Sequence, residues 1–208
     1  MVVIDGGANK GVYINRYLHE YPDAIIHAFE PQISCYEYLV SCFGDNDRVV
    51  LNNVALGEKS GENEVIYCNY GEHTSSLLEW DTPQAELYTD NVQMKMIDKY
   101  PVKVVTISEY CTENWIKEIE LIKLDLQGYE MRALKGAGDM LFFTRYILLE
   151  LTYIPKYVGQ SAPQEIEQLL FKYGFEFVKY IDPRMNKDGV LLWQDGLYRN
   201  YVYNNRYV

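Results

Sequence analysis

One stretch near the start of the chain, residues 2–11, constrains the fold more than any other. Residues 2–4 form an apolar run without a polar interruption, which is typical of a strand buried on both faces of a parallel sheet. The run ends at Asp5, and a glycine-rich turn then leads into an amphipathic segment, residues 12–21. This order predicts a strand, a turn and a helix, with a turn backbone that can pass close to a ligand.

The residues of the turn indicate which kind of ligand it accepts. A dinucleotide-binding turn has the spacing G-x-G-x-x-G, whereas Asp5, Gly7, Asn9 and Gly11 give acid-x-G-x-N-x-G. An acid ahead of the glycines would repel a pyrophosphate, but it suits an ammonium group. Asn9 is expected to replace a middle glycine, because asparagine tolerates left-handed backbone.

A second acid follows the next predicted strand. The apolar run 24–29 ends at Glu30, nineteen residues after Gly11. An acid at the end of a second parallel strand is placed to accept hydrogen bonds from both hydroxyls of a ribose. A ligand with an amino acid at one end and a ribose at the other is S-adenosylmethionine, and the pair of acids therefore predicts this cofactor, with S-adenosylhomocysteine as the product.

Length and composition limit the classes of function. The 208 residues predict a single domain, 1–208, and a strand at the very start suggests a domain excised from a larger chain. The net charge of −11 argues against a nucleic-acid partner, and the absence of an 18-residue apolar run argues against a membrane span. The four cysteines form no C-x-x-C pair, which favours reduced thiols and a cytoplasmic location.

Alternating strands and helices predict an α/β fold with a doubly wound, mostly parallel, seven-stranded Rossmann-like sheet. We expect a C-terminal antiparallel hairpin that turns at Asp195-Gly196, and an inserted strand and loop region between strands 3 and 4. Within that insertion, residues 69–101 are expected to form a loop over the cofactor; residues 92–96 alternate like a strand, and a helix through Tyr100 is the alternative. The predicted strands are 2–4, 24–29, 49–56, 64–68, 102–107, 119–126, 145–151, 176–181, 190–194 and 197–203, and the predicted helices are 12–21, 33–43, a short helix to Trp115 capped by Thr106 or Ser108, 129–136 and 161–174.

Several motifs together resemble one protein family. They are Asp5-Gly6-Gly7-Ala8-Asn9-Lys10-Gly11, Phe29-Glu30-Pro31, Asn53-Val54-Ala55-Leu56-Gly57, Thr106-Ile107-Ser108-Glu109 and Ile122-Lys123-Leu124-Asp125-Leu126-Gln127-Gly128-Tyr129-Glu130. From residue 2 to about residue 199 the chain is similar to the FkbM-type family of class I S-adenosylmethionine-dependent methyltransferases. The resemblance implies O-methylation, commonly of hydroxyls on sugars, glycans or polyketide-like metabolites. Two positions depart from the family pattern, because Gln127 stands where Glu is usual and Ile107-Ser108 where Leu-Asp is usual.

The predicted cofactor residues follow from the two acids and these motifs. Asp5 is expected to face the ammonium group and Glu30 the ribose, while residues 53–55 are placed near the adenine by the topology of the sheet alone. The complete set of predicted cofactor-binding residues is Asp5, Gly7, Ala8, Asn9, Gly11, Glu30, Pro31, Asn53, Val54, Ala55 and Asp125.

The predicted reacting groups lie after the central strand. Lys123 and Asp125 share one face of that strand, and a buried lysine needs a partner, for which Glu150 and Asp5 are both candidates. Asp125 is the first candidate for the base that removes a hydroxyl proton, with Glu150 and His73 behind it.

The expected acceptor-binding residues come from three parts of the chain. They are Ser75, Ser76, Gln127 and Tyr153. Trp193 and Tyr198 either stack on a sugar or pack within the scaffold.

The sequence thus predicts an S-adenosylmethionine-dependent O-methyltransferase that acts on a hydroxyl of a sugar, glycan or related small metabolite. A divalent metal is compatible with such chemistry, but no ligand spacing indicates one and no metal ligand is predicted. Two alternatives stay open at this point. One is a non-catalytic S-adenosylmethionine-binding module within a glycan-modifying protein, suggested by Gln127, and the other is a nicotinamide-dependent oxidoreductase, which the absence of G-x-G-x-x-G disfavours. The sequence gives no indication of the oligomeric state.

Overall fold

The structure, a computed structural model, describes residues 1–81 and 95–204. Its strands are β1 (Val2–Gly6), β2 (Ile25–Phe29), β3 (Val49–Asn52), β4 (Ala55–Leu56), β5 (Gly61–Asn69), β6 (Met96–Val105), β7 (Ile119–Leu124), β8 (Thr144–Thr152), β9 (Phe175–Met185) and β10 (Leu191–Asn200). Its α-helices are α1 (Val12–Glu20), α2 (Ile33–Phe43), α3 (Ile107–Glu113), α4 (Glu130–Ala137), α5 (Pro163–Lys172) and α6 (Tyr201–Asn204). Short 3-10 helices lie at Glu72–Thr74 and Gly138–Phe143.

Seven of the described strands form the main sheet, in the order β3-β2-β1-β7-β8-β10-β9. β10 is antiparallel to both of its neighbours, and the other pairings in this sheet are parallel. A second sheet, β4-β6-β5, is built by the insertion between β3 and β7. The predicted fold class, with its terminal antiparallel hairpin and its inserted region, is confirmed.

The main sheet has a hydrophobic core on each face, and β1 contributes to both. Val3 packs with Ile14 of α1 and Leu39 of α2, whereas Ile4 packs with Ile107 of α3 and with residues of α4 and α5. Successive residues of a strand point to opposite faces, so an unbroken apolar run suits a strand that is covered on both. The interpretation of residues 2–4 as a strand buried on both faces is therefore confirmed.

The predicted strand 49–56 is wrong in its extent, because the chain changes sheets within it. β3 ends at Asn52 in the main sheet, and β4 pairs with β6 in the small one. The intervening asparagines bond to the end of β2: the Asn52 amide donates to the Ala28 carbonyl at 3.1 Å, and that of Asn53 to the Glu30 carbonyl at 2.8 Å. These side-chain bonds hold the chain beside β2 where the ladder stops.

The predicted turn at Asp195-Gly196 is also wrong, because both residues lie inside β10. Asp195 pairs with Glu150 of β8, so the strand runs straight through the expected turn. The hairpin turns earlier, where Asn186 Oδ1 accepts hydrogen bonds from the backbone N–H groups of residues 188 and 190, each at 2.9 Å, and Gly189 has φ of 79°. An asparagine side chain that bonds the backbone two residues on stabilises a turn. The chain therefore turns at Asn186 and not at Asp195-Gly196.

Three smaller expectations near the ends of elements are resolved. Residues 96–100 belong to β6 and not to a helix, while residues 92–94 lie outside the described residues. Thr106 caps α3, since its Oγ1 accepts from the Glu109 N–H at 3.0 Å. The last strand ends at residue 200 and not at 203, because α6 follows it.

Two further expectations concern the cysteines, which were expected to be reduced thiols, and the helices, of which none was expected to span a membrane. Cys35, Cys68 and Cys111 are buried and Cys42 is exposed, and none of these four described residues forms a disulfide. In the part of the chain that the structure describes, no helix has the length and apolar character needed to cross a membrane.

We predict that Gly136→Ala destabilises the protein although alanine is the better helix former. A Cβ at Gly136 in α4 would overlap the carbonyl oxygen of Gly57, which belongs to the backbone and cannot rotate away. Overpacking costs about 1–3 kcal/mol, which exceeds the gain of about 1 kcal/mol in helix propensity. Gly61→Ala is the matched control, because a Cβ there meets no atom within 4 Å. Urea unfolding should show a lower midpoint for Gly136→Ala alone; equal midpoints for both variants would contradict this packing.

Candidate active site

The main cleft lies at the carboxyl ends of β1, β2 and β7. It has an empty volume of about 630 Å³, part of which is open to solvent, and this lies within the usual range for small-molecule sites. Many of the predicted site residues line it: Gly7, Asn9, Glu30, Pro31, Val54, Ala55, His73, Ser75, Ser76, Asp125 and Gln127. The topology thus brings together side chains that lie up to 120 residues apart in the sequence.

The glycine-rich turn after β1 is held against the end of β2. The N–H groups of Gly7 and Ala8 donate to the Phe29 carbonyl at 3.0 and 3.1 Å. Gly7 has φ of 71°, and a Cβ there would overlap the carbonyl oxygen of Asp125. Asn9 has φ of 46°, so the left-handed backbone predicted for it is confirmed. Gly7 therefore places its backbone at the cleft with no side chain in the way.

A buried ion pair lies beneath this turn. Lys123 Nζ is 3.0 Å from Asp5 Oδ1, and it also donates to the carbonyl of Gly7 at 3.0 Å. Of the two partners that the sequence left open for Lys123, Asp5 is the one observed. Both side chains are buried, so the Asp5 carboxylate does not line the cleft, and its contact with an ammonium group stays a prediction.

Glu30 presents a carboxylate to the cleft from the end of β2. Its Oε2 accepts from the Asn9 N–H and its Oε1 from the Gln32 N–H, each at 2.8 Å. A carboxylate oxygen has a second lone pair, so both oxygens can still accept a ligand hydroxyl. Burial raises the pKa of Glu30 to about 7, and the two backbone donors oppose this shift.

Asp125 follows directly after β7 and faces the same cleft. Gln127 Nε2 donates to Asp125 Oδ1 at 2.6 Å, and Gln127 Oε1 accepts from the Tyr157 hydroxyl at 3.2 Å. Gln127 itself has φ of 52°, which turns its side chain back toward Asp125. In place of the glutamate that is usual in the family, this residue orients Asp125 without adding a second negative charge.

The loop after β5 forms another wall of the cleft. Ser76 is buried, and its hydroxyl donates to the Gln127 carbonyl at 2.7 Å, which fastens the loop to the segment after β7. Ser75 Oγ accepts from the Asn69 N–H at 3.1 Å. His73 is exposed at the rim. Residues 82–94, which include Pro83 of the predicted cofactor loop, lie outside the described residues.

Two predicted reacting or acceptor residues are placed away from this cleft. Glu150 is buried and pairs with Lys156 at 3.0 Å, while the Thr152 hydroxyl donates to it at 2.9 Å. The Tyr153 hydroxyl accepts from the Gln194 amide at 2.7 Å. Neither Glu150 nor Tyr153 belongs to the cleft lining, and their roles toward the acceptor stay predictions.

Three predicted cofactor residues support the cleft from outside its lining. Ala8 is buried in the core beside α1, and Gly11 begins that helix with φ of 76°. Asn53 bonds to the carbonyl of Glu30, as described above.

The two aromatic residues proposed for stacking differ from each other. Tyr198 is buried and donates to Glu167 at 2.9 Å, so it packs within the scaffold. The ring of Trp193 lies under Lys156, whose Nζ is 4.1 Å from the ring centroid.

Glu130 is a functionally placed residue that sequence reasoning missed. Its Oε1 accepts from the N–H groups of Leu126 at 2.8 Å and Gly128 at 3.2 Å, and it thereby shapes the segment that carries Asp125 and Gln127. Burial, and then the Glu150 carboxylate, raise the pKa of Glu130 to about 8. Its position in the first turn of α4 was the available signal, because acids there often bond to free N–H groups.

Asp195 was missed for a different reason. It was assigned to a turn, whereas in β10 it accepts a hydrogen bond from the Tyr13 hydroxyl at 3.2 Å and lines a small cavity together with Asp125.

Among residues 1–81 and 95–204, no group of three or more His, Cys, Asp or Glu side chains is arranged to hold a metal ion.

The sheet order, the glycine turn after β1 and the acid after β2 are typical of the Rossmann-like fold of class I methyltransferases. The sequence pattern of the methyltransferase FkbM domain matches residues 5–177. The chain therefore belongs to the FkbM methyltransferase family and is an S-adenosylmethionine-dependent methyltransferase. This assignment replaces the two alternatives that the sequence left open.

Named relatives agree with this family. The chain is 30% identical over 197 residues to the 2-O-methyltransferase NoeI of Sinorhizobium fredii, which covers 92% of this chain and 78% of that protein. It is 26% identical over 198 residues to the methyltransferase sdnD of Sordaria araneosa, covering 85% and 74%. Among solved structures, WbdD shares the fold at a TM-score of 0.50 and 13% identity, over 96% of this chain and 35% of that one.

We predict that Glu130→Gln makes the free energy of unfolding less dependent on pH, by the amount that one titrating carboxyl group contributes. The pKa of Glu130 in the folded protein is about 8, above its ordinary value of 4.5, so the carboxyl stays protonated while the unfolded chain ionises. The contribution of Glu130 to the free energy of unfolding should then fall by about 1.4 kcal/mol per pH unit as the pH rises from that ordinary value toward 8. Glutamine keeps an acceptor oxygen for the two N–H groups and does not ionise.

The measurement is the free energy of unfolding in urea at several pH values between 5 and 8. Glu130→Gln should match the wild type at pH 5 and exceed its stability progressively toward pH 8. Glu37→Gln, on the exposed side of α2, is the control and should keep the wild-type slope. An unchanged slope in Glu130→Gln would contradict a protonated Glu130.

Proposed function

We propose that this protein transfers a methyl group from S-adenosylmethionine to a hydroxyl oxygen of a sugar, glycan or related small metabolite. One observation carries the proposal: Glu30 at the end of β2 and Asp125 at the end of β7 line one cleft, with the glycine turn of β1 between them. An adenosine cofactor needs a hydrogen-bond acceptor for its ribose, which Glu30 would supply. Methyl transfer to a hydroxyl needs a base, which Asp125 would supply.

The residues of the cleft fit S-adenosylmethionine. The carboxylate of Glu30 would accept the ribose hydroxyls, the open turn at Gly7 would admit the ligand close to the backbone, and Val54 and Ala55 supply apolar surface for the adenine. When bound, S-adenosylmethionine would supply a methyl group on a sulfonium, whose sulfur leaves as the neutral thioether of S-adenosylhomocysteine when the carbon–sulfur bond breaks.

The chain's own residues then have to orient the acceptor, exclude water and remove a proton. Asp125 would accept the proton of the acceptor hydroxyl, so that the new oxygen–carbon bond forms as the oxygen–hydrogen bond breaks. Gln127 keeps the Asp125 carboxylate in one orientation through the bond at 2.6 Å. The loop that carries Ser75 and Ser76 shields this end of the cleft, and His73 at its rim is the second candidate base.

Two observations support a neutral hydroxyl as the acceptor. The relative NoeI is a 2-O-methyltransferase, which favours oxygen as the atom methylated. The net charge of −11 disfavours phosphate-rich acceptors and nucleic acid, because both would be repelled.

We predict that wild-type protein releases S-adenosylhomocysteine when incubated with S-adenosylmethionine and a panel of neutral glycosides, and that Asp125→Asn lowers kcat by about 10²–10⁴-fold. Asparagine keeps an oxygen for the Gln127 amide but cannot take the proton. Its affinity for S-adenosylhomocysteine, measured by calorimetry, should match that of the wild type.

Asp45→Asn, in the exposed turn after α2, is the matched control and should leave both quantities unchanged. An unchanged kcat in Asp125→Asn would reject Asp125 as the base. Cofactor binding without turnover on the whole panel would reject the proposed acceptor class.

A further inference from the structure

A second, smaller cavity lies beside the cofactor cleft and shares a wall with it. It lies between α1 and the carboxyl-terminal parts of β7 and β8; its empty volume of about 170 Å³ includes open solvent, and its enclosed part has room for about one water-sized group. Asp125 lines both this cavity and the main cleft, so the two spaces adjoin at this residue. The residues around the small cavity are Tyr13, Lys123, Leu124, Asp125, Leu148, Leu149 and Asp195.

Asp195 enters this cavity from β10, opposite Glu150 on β8. Its Oδ2 accepts a hydrogen bond from the Tyr13 hydroxyl at 3.2 Å. Burial, and then the carboxylates of Asp125 and Glu150, raise the pKa of Asp195 to about 6. Burial, and then Asp195, raise the pKa of Tyr13 to about 12, so the phenol keeps its proton and acts as a donor.

Two neighbouring carboxylates are already paired with buried lysines. Asp5 lies 3.0 Å from Lys123 Nζ, and Glu150 lies 3.0 Å from Lys156 Nζ. A buried charge that is paired in this way is bound within the protein, and separating the pair to serve a ligand would be costly. These two carboxylates therefore have structural partners.

Asp125 and Asp195 are held differently. Within the described part of the chain, the groups that donate hydrogen bonds to them are neutral, namely the Gln127 amide and the Tyr13 hydroxyl. A carboxylate has about four acceptor positions, so each keeps capacity for a further donor. Because Asp125 also lines the main cleft, a ligand in that cleft can offer one hydroxyl to Asp125 and place a neighbouring hydroxyl in the small cavity, at Asp195.

We propose that Asp195 and Tyr13 bind the acceptor through the hydroxyl next to the one that is methylated, so that the acceptor class is a vicinal diol, as in a sugar. This inference rests on the proposed function. Asp125 takes the proton from the reacting hydroxyl, while Asp195 accepts a hydrogen bond from its neighbour and Tyr13 fixes the orientation of Asp195. Leu124, Leu148 and Leu149 supply the apolar part of the cavity wall.

The test compares acceptors with and without a neighbouring hydroxyl. Methyl glycosides of neutral sugars and catechol supply vicinal diols, and cyclohexanol and phenol are their single-hydroxyl counterparts. Release of S-adenosylhomocysteine is measured for the wild type, Asp195→Asn, Tyr13→Phe and the control Asp188→Asn, which lies exposed in the turn between β9 and β10. Calorimetry with S-adenosylhomocysteine shows for each variant that the fold and the cofactor cleft are intact.

The inference expects turnover with the diols and not with the single-hydroxyl compounds. Loss of a hydrogen bond to a charged group should raise KM for the diol about tenfold or more in Asp195→Asn, with a smaller change in Tyr13→Phe and none in Asp188→Asn. Because Asp195 binds and does not take the proton, kcat should change less than KM. The affinity for S-adenosylhomocysteine should be the same in all four proteins.

Three results would overturn the inference. One is equal turnover of single-hydroxyl compounds and diols, and another is an unchanged KM in Asp195→Asn and Tyr13→Phe. The third is binding of S-adenosylhomocysteine by the wild type without turnover of any diol, which would leave the cofactor part of the proposed function standing. Failure to bind S-adenosylhomocysteine would instead reject the proposed function and the inference together.

Discussion

The buried ion pair between Asp5 and Lys123 is the interaction on which the rest of the site depends. It joins neighbouring strands β1 and β7 directly beneath the glycine turn, and Lys123 Nζ also bonds to the carbonyl of Gly7. Removing one partner of such a pair typically costs about 3–5 kcal/mol, because the other charge is left buried and unpaired. The pair therefore fixes the position of the glycine turn relative to Asp125, whose carbonyl oxygen lies against Gly7.

A division of roles among the carboxylates follows from their partners. Asp5 and Glu150 are paired with buried lysines and stabilise the scaffold, whereas Glu30, Asp125 and Asp195 are held by neutral donors. The second group lines the two cavities and keeps acceptor positions for a ligand. The two groups of carboxylates differ in their hydrogen-bond partners and not in residue type. The sequence alone therefore does not separate them.

The sequence predicted what depends on local pattern and failed where distant partners decide. The alternation of strands and helices was enough for the fold class, and the turn after Asp5 and the spacing to Glu30 were enough to indicate which residues meet at one cleft, because strand period and turn chemistry are local. Asp195 was misassigned because Asp-Gly is a strong turn signal, and only the pairing with β8 shows that it lies within a strand. Glu150 was predicted as a candidate base. In the structure its carboxylate forms an ion pair with Lys156, which follows β8 in the chain.

The most direct test of this account is calorimetric titration of S-adenosylhomocysteine into the wild type and Glu30→Gln, with Glu37→Gln as the control. Glutamine replaces one acceptor oxygen by an amide donor, and loss of a hydrogen bond to a charged acceptor is worth about 1.5–3 kcal/mol, or about 10- to 100-fold in Kd. We expect Glu30→Gln to weaken binding to that extent and Glu37→Gln to leave it unchanged. Equal affinity in all three proteins would contradict the placement of the ribose at Glu30.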